Sequence, residues 1–286
     1  MGAVEEQAPA KLNLCLRVTG RRADGYHELD SCIVFTEWAD RLTIVPDEGL
    51  ALELAGPFAP AIAGCSDNLV IRAARRLAAQ AGRPPDLRLI LDKRIPVAAG
   101  LGGGSADAAA TLRGLDRLWD LGMASSELLA IALELGADVP VCLLGRPARV
   151  RGIGERLEPL ALPALDLVLA NPNEAVATAR AFAGLGPIGS VPAPEGPVPA
   201  GRADLLDWLR RCPNDLEAPA RRLVPMIDRV LEAIGEQPGC RLARMTGSGA
   251  TCFGVFDGPA MAARAAAAMR RDHPEWWVVS TASRAP

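Results

Sequence analysis

Residues 95–112 read IPVAAGLGGGSADAAATL. Four of the five positions from 100 to 104 are glycine, and such a run lets the backbone take positive φ and approach a ligand closely. From Ser105 to about Trp119 the chain is rich in Ala and Leu, which predicts a helix that starts at the end of the glycines. The free N–H groups and positive dipole end of a helix N-terminus make an anion site without any net basic charge. Two familiar glycine motifs are excluded. No lysine follows as a GxxxxGK[ST] loop requires. A dinucleotide fingerprint needs different spacing, and Pro96 stands between the preceding strand and the glycines. A flexible hinge without a ligand is the plain alternative for this segment taken alone.

Upstream, residues 10–18 alternate, with Leu12, Leu14, Leu16 and Val18 on one side and Lys11, Asn13, Cys15 and Arg17 on the other. Period two predicts a strand with one buried face. Asp24-Gly25 is turn chemistry, and strands are expected at 31–36, 41–46 and 50–54, giving an antiparallel start. Ser66 or Asp67 is expected to cap a helix to about residue 81, followed by a strand at 87–91. A helix from Ser125 or Ser126 is expected to stop at Gly136. Beyond it the pattern predicts strands at 165–170, 240–245, 250–256 and 275–280, and helices at 203–211, 214–234 and 258–271. The proline-rich stretch 187–199 reads as a surface loop. The class is α+β, in two domains, 1–156 and 157–286.

The chain has 286 residues, half of them apolar, and a net charge of −3 from 31 basic and 34 acidic residues. That balance gives no footprint for nucleic acid. Seven cysteines without CxxC spacing and only two histidines argue against a disulfide framework or a zinc site, and fit reduced thiols in the cytoplasm. No apolar run suggests a membrane span, and MGAVEEQAPAKLN does not read as a signal peptide.

Two further segments carry chemistry only in company. Asp138 in ELGADVP is, by itself, a turn aspartate, and Lys11 a strand lysine. TGSGA within MTGSGATCFGVF, residues 245–256, is either a tight hairpin or a second backbone turn near an anion.

Together, APAKLNLCLRVTGRRADGYHELD at 8–30, PVAAGLGGGSADAAA at 96–110 and MTGSGATCFGVF at 245–256 resemble the three ordered motifs of the GHMP kinase superfamily. Within it, AKLNL, RADGYHELD, DKRIPVAAGLGGGSADAA and LGADVPV are most similar to members that phosphorylate the 2-hydroxyl of a cytidylated methylerythritol on the way to isoprenoid precursors. The resemblance runs from about residue 8 past 256 and is weakest across 185–235. It implies an N-terminal α+β nucleotide-binding domain and a ferredoxin-like C-terminal domain. It implies ATP and, with it, Mg²⁺, whose protein ligands are unassigned. It implies roles as well: Lys11 and Asp138 as the catalytic pair, and Pro96, Val97, Ala98, Ala99, Gly100, Leu101, Gly102, Gly103, Gly104, Ser105 and Ala106 as the ATP phosphate segment. Asn13, Tyr26, His27, Thr178 and Phe182 are the implied substrate contacts, and Asp67-Asn68-Leu69 the adenine-side segment.

Where the family often carries Ser-Asn or Ser-Ser-Asn after the glycines, this chain has Ser105-Ala106-Asp107, and Asp107 reads as a first-turn helix carboxylate rather than a metal ligand. The implied partners are a small-molecule substrate and ATP, with no nucleic acid or membrane, in a monomer or weak homodimer. Three alternatives stand beside this reading: another GHMP kinase acting on homoserine, mevalonate or a sugar; a non-catalytic sensor on the same fold; and a nicotinamide-dependent oxidoreductase, which the glycine spacing disfavours.

Overall fold

A computed structural model describes residues 2–65, 67–188 and 196–284. In chain order the elements are β1 (Val4–Arg21), β2 (His27–Pro46), β3 (Leu50–Ala55), α1 (Leu69–Gln80), β4 (Leu87–Asp92), α2 (Gly103–Trp119), α3 (Ser125–Leu135) and α4 (Val139–Leu144). Then follow β5 (Ala148–Gly152), β6 (Arg156–Pro159), β7 (Asp166–Asn171), α5 (Thr178–Ala183), α6 (Arg202–Arg211), α7 (Glu217–Leu223), α8 (Met226–Gly235), β8 (Cys240–Met245), β9 (Cys252–Phe256), α9 (Pro259–Asp272) and β10 (Trp277–Ala282). A turn of 3₁₀ helix covers Ala59–Ile62. These elements form two compact units, one of residues 1–11, 38–97 and 102–145, the other of 12–37, 98–101 and 146–286.

The expected α+β class holds, with three corrections near the start. Both faces of β1 are buried from Ala8 to Val18, not one. Burial of the polar face is tolerable because its groups are paired: Lys11 with Asp138, Asn13 with Thr246 and Ser31, Arg17 with Asp215. Residues 31–36 and 41–46 belong to one long strand, β2. The antiparallel start also gives way at β3, which pairs parallel with β4 from Leu50↔Leu87 to Ala55↔Asp92. Parallel neighbours need a crossover, and α1 supplies it.

In the first unit, β4 also pairs antiparallel with the C-terminal half of β2, and its alternate residues Leu87, Leu89 and Leu91 are fully buried. Helix α1 lays Val70, Ala73, Ala74, Leu77 and Ala78 inward and packs against α2. Its cap is Asn68, whose Oδ1 accepts the Val70 N–H at 2.9 Å. Asp67 instead pairs with Arg72, and Ser66 lies outside the described residues. The six-residue α4 escaped the sequence reading. Its Pro140 occupies the first turn, where a missing N–H is harmless, and Gly145 ends it in a left-handed conformation.

In the second unit, the N-terminal half of β2 pairs antiparallel with β5, and β5 with β6. A four-stranded antiparallel sheet in the order β10-β7-β9-β8 carries the main core. Helices α8 and α9 cover it with Ile227, Val230, Ile234, Ala262, Ala266 and Met269, and Leu16 and Val18 of β1 join the same core. The expected single helix at 214–234 is two helices, because Pro225 lacks an N–H and pushes Val224 into extended backbone (φ −135°, ψ 87°). Arg244 of β8 is buried and donates to the carbonyls of Leu14, Leu209 and Cys212, satisfying the otherwise open C-terminal end of α6. Past α9, His273 stacks on Trp276 with ring centroids 3.8 Å apart. Of the expected loop 187–199, residues 189–195 lie outside the described residues, and 196–199 carry no helix or strand.

Candidate active site

In the first unit Gly102 leads directly into α2. The helix begins at Gly103, two residues before the predicted Ser105, with Gly102 at its N-cap in the left-handed region (φ 63°). The N–H groups of the first turn have no carbonyl within the helix to bind, and the positive end of its dipole coincides with them. Gly102 sits against the stem of Lys11: a Cβ there would lie 3.0 Å from Lys11 Cε. A side chain at 102 would thus be strained by φ and would press on the lysine.

Lys11 is nearly fully buried, and its Nζ lies 3.1 Å from Asp138 Oδ2; the aspartate side chain is 48% exposed. Asp138 follows Gly136 at the end of α3 and stands at the N-cap position of α4. The buried cation and the accessible carboxylate therefore face each other next to the start of α2. At about 4 Å and an effective dielectric near 20, such a pair attracts by roughly 4 kcal/mol, an upper figure for a half-exposed carboxylate.

Sequence reasoning missed what stands behind the loop. Lys93, just after β4, is buried between Asp40 of β2 and Asp107 of α2, with Nζ 2.8 Å from Asp107 Oδ2 and hydrogen-bonded to Asp40 Oδ2. The other oxygen of Asp40 accepts the N–H groups of Arg94, at 2.5 Å, and Ile95, at 2.8 Å. Asp107 is thus no first-turn carboxylate, which corrects the earlier expectation: it is the fifth residue of α2, buried and paired. Burial pushes its carboxyl up to about 7, against the pull of Lys93 and with Asp40 adding to the rise. Burial pulls the Lys93 ammonium down, but Asp107 and Asp40 outweigh it and hold the group above its ordinary value. The signal was present in DKRIPVAAG; a lysine between a strand and a glycine run is, however, usually solvated.

In the second unit, residues 98–101 meet the TGSGA turn back to back. A Cβ on Gly100 would lie 2.7 Å from the Thr246 carbonyl oxygen, and one on Gly247 2.6 Å from that of Gly100. The Thr251 N–H donates to Ala99 O at 3.3 Å. TGSGA is therefore a turn whose backbone abuts that of Ala99 and Gly100. Asn13 is buried; its N–H donates to Thr246 Oγ1 at 2.8 Å and its Nδ2 to Ser31 Oγ at 2.7 Å.

Tyr26 projects from the Asp24-Gly25 turn and is 60% exposed. His27 opens β2 and stacks on Phe182 with centroids 4.8 Å apart and planes 23° from parallel. Desolvation, and then the Arg21 charge, lower the imidazole below its ordinary value, so near neutrality the ring keeps both a donor and an acceptor nitrogen. Phe182 and Thr178 lie four residues apart on α5, an element the sequence reading did not foresee. Thr178 Oγ1 is 2.9 Å from Ser248 Oγ, which adds a hydroxyl of TGSGA to that group. Pro96 and Val97 belong to the first unit, Pro96 buried and Val97 exposed.

The class of the protein follows from two family models. That of the GHMP kinase N-terminal domain matches residues 68–146, and that of the GHMP kinase C-terminal region matches 200–275. A 4-diphosphocytidyl-2-C-methyl-D-erythritol kinase from Rhodospirillum rubrum is 51% identical over 96% of this chain and 91% of its own length. A crystal structure of 4-(cytidine 5'-diphospho)-2C-methyl-D-erythritol kinase matches at a TM-score of 0.78 and 40% identity, covering 98% of this chain and 99% of that one. A homoserine kinase structure from Cytophaga hutchinsonii, 18% identical at a TM-score of 0.71 over 100% of this chain and 95% of its own, shares the fold. The chain belongs to the GHMP kinases and, among them, to the family of the 4-diphosphocytidyl-2-C-methyl-D-erythritol kinases. It is an ATP-dependent kinase of a small molecule.

Proposed function

We propose that this enzyme transfers the γ-phosphoryl group of ATP to the 2-hydroxyl of 4-diphosphocytidyl-2-C-methyl-D-erythritol. The observation that carries the reading is the buried Lys11 ammonium 3.1 Å from the accessible Asp138 carboxylate, beside the glycine-capped start of α2.

Phosphoryl transfer asks a protein for positioning and charge stabilisation. The first-turn amides of α2 and the glycine backbone hold the triphosphate. Asp138 accepts the proton of the attacking hydroxyl. Lys11 fixes the position of that carboxylate and stabilises the charge that spreads over the transferring oxygens. Mg²⁺ bound with the triphosphate would supply charge neutralisation there, and such an ion would need only one or two protein carboxylates. Asp107, buried against Lys93, does not fit as one of them, and Asp138 is the accessible carboxylate of this set.

Recognition of the cytidine falls to the other group of residues. The neutral His27 imidazole can donate to and accept from a pyrimidine edge, while Tyr26 and Phe182 offer faces for stacking, worth roughly 1–3 kcal/mol per base. Asn13, Thr178 and Ser248 offer polar contacts to the remainder of the substrate. Among the described residues no helix is long and apolar enough to cross a membrane. The reading places the enzyme in the cytoplasm as a monomer or weak homodimer.

The test is ADP release with Mg·ATP and each acceptor in turn. Turnover with the cytidylated acceptor and none with homoserine, mevalonate or galactose is the expected result. Turnover with one of the controls instead, or ATP binding without turnover on any of them, would sink the assignment.

A further inference from the structure

Asp107 presents an accounting of charge that the catalytic reading leaves unused. Three ionisable side chains from three places in the chain meet in one buried cluster: Asp40 on β2, Lys93 after β4 and Asp107 on α2. One cation faces two carboxyls. Both oxygens of Asp40 are committed, one to Lys93 and one to the backbone of Arg94 and Ile95. Asp107 commits only Oδ2; its Oδ1 is buried without a hydrogen-bond partner. An anionic carboxylate with a bare buried oxygen is costly, whereas a protonated one is far less so. The same cluster touches the loop: a Cβ on Gly103, the first residue of α2, would lie 2.9 Å from Lys93 Nζ.

We infer that Asp107 is a positioning residue of the ATP site, which through Lys93 sets the charge behind the first turn of α2 and so tunes its grip on the triphosphate. This rests on the ATP-binding role proposed for that turn. With Asp107 protonated the cluster is neutral, since Lys93 balances Asp40. With Asp107 ionised the cluster carries one net negative charge, and the helix end that attracts phosphate is weakened.

The other charges described around α2 are engaged with partners: beside Gly102, Lys11 pairs with Asp138, and on α2 itself Arg113 and Arg117 pair with Glu6 of β1. On α1, Arg72 and Arg76 are engaged with Asp67 and Glu134. On α3, Glu134 holds Arg76, and Glu127 accepts the Ala124 N–H. On α4 the titratable side chain is the Cys142 thiol, raised by burial and neutral throughout. Lys93 stays cationic because its carboxyl partners raise it. The carboxyl that titrates near neutrality is Asp107. An asparagine there would keep a bond to Lys93 and abolish the switch.

The experiment compares the full-length protein with its Asp107→Asn variant. Mg·ATP affinity is measured by calorimetry, without acceptor, from about pH 6 to about pH 8.5, the range that spans a carboxyl titrating near neutrality. Any titration of the nucleotide itself is common to both proteins. The expected result is equal affinity near the acid end. Toward the alkaline end the affinity of the unaltered protein falls about threefold to tenfold relative to the variant. A constant offset between the two profiles would reduce Asp107 to a structural residue and overturn the inference. Parallel, superimposed profiles would overturn it too. If the variant fails to fold, the carboxyl carbon of Asp107 in the isotope-labelled unaltered protein decides: its NMR shift must titrate near neutrality and respond to Mg·ATP, and a shift indifferent to the nucleotide would overturn the proposal. Because binding is read without acceptor, a failed acceptor assay leaves this test intact. Absence of Mg·ATP binding in either protein at every pH would sink the kinase reading and this inference together.

Discussion

In the proposed mechanism Asp138 and Lys11 divide their labour by exposure. The lysine is buried and fixed, while the aspartate side chain is 48% exposed and open to an incoming hydroxyl. Replacing Asp138 with alanine is expected to lower kcat by about 10²–10⁴-fold, the range of a general base, with Mg·ATP affinity nearly unchanged. A variant that turns over normally would remove Asp138 from the chemistry. Asp107 makes a separate prediction, on stability. Its folded-state carboxyl is raised to about 7 from the ordinary 3.8, so the folded protein binds the proton more tightly than the unfolded chain does. The stabilising effect of that proton is present below about pH 4 and lost as the pH rises through about 7. Asp107→Asn should therefore be no more stable than the unaltered protein in acid, and gain relative stability up to about neutrality. Denaturant unfolding at several pH values measures the difference, and a gap that is constant with pH contradicts it.

Among the elements, those with a strong local signal could be read from sequence. Helix α1, strands β4, β7, β8 and β9 and helix α9 fall within a few residues of their expected bounds because each has one clear period and a glycine or proline at its edge. Of the elements that were missed, α4 and α5 span less than two helical turns, and β5 and β6 are interrupted by Arg149, Arg151, Arg156 and Glu158 where an apolar run would mark a strand. The parallel pairing of β3 with β4 depends on where α1 packs, which no local pattern encodes. The motif positions themselves were legible, but not the cluster behind them. Lys93 and Asp107 are 14 residues apart and Asp40 is a further 53 away, so their meeting is a product of the tertiary fold. The cap of α1 offers a direct check. Asn68→Ala removes the acceptor of the Val70 N–H and should cost about 1 kcal/mol of stability, read as a lower unfolding midpoint. An unchanged midpoint would show that Asp67 or water takes over the cap.

The chain passes between its two compact units at 11/12, 37/38, 97/98, 101/102 and 145/146. The core of the second unit contains Leu16 and Val18, and Arg244 depends on the Leu14 carbonyl. A fragment of residues 157–286 lacks all three, and its expected behaviour is a loss of cooperative unfolding, testable by calorimetry. A sharp transition in the fragment would show that those β1 contacts are dispensable. Thiol accessibility makes a second check. All seven cysteines are free, and Cys65 is exposed while Cys15, Cys32, Cys142, Cys212 and Cys252 are buried. A thiol reagent should modify Cys65 rapidly in the native protein and reach the five buried thiols only on unfolding. Fast modification of a second group beyond the half-buried Cys240 would contradict the packing described.

The stacked imidazoles have a practical consequence. The sequence holds two histidines, and each lies face to face with an aromatic ring, His27 with Phe182 and His273 with Trp276. Ring currents displace the proton resonances of both imidazoles from their usual positions, which separates them in a spectrum with only two such signals to assign. Only His27 belongs to the proposed cytidine site. The molecule therefore carries its own pair of unlabelled probes, one that moves when the base enters and one that stays as the internal standard.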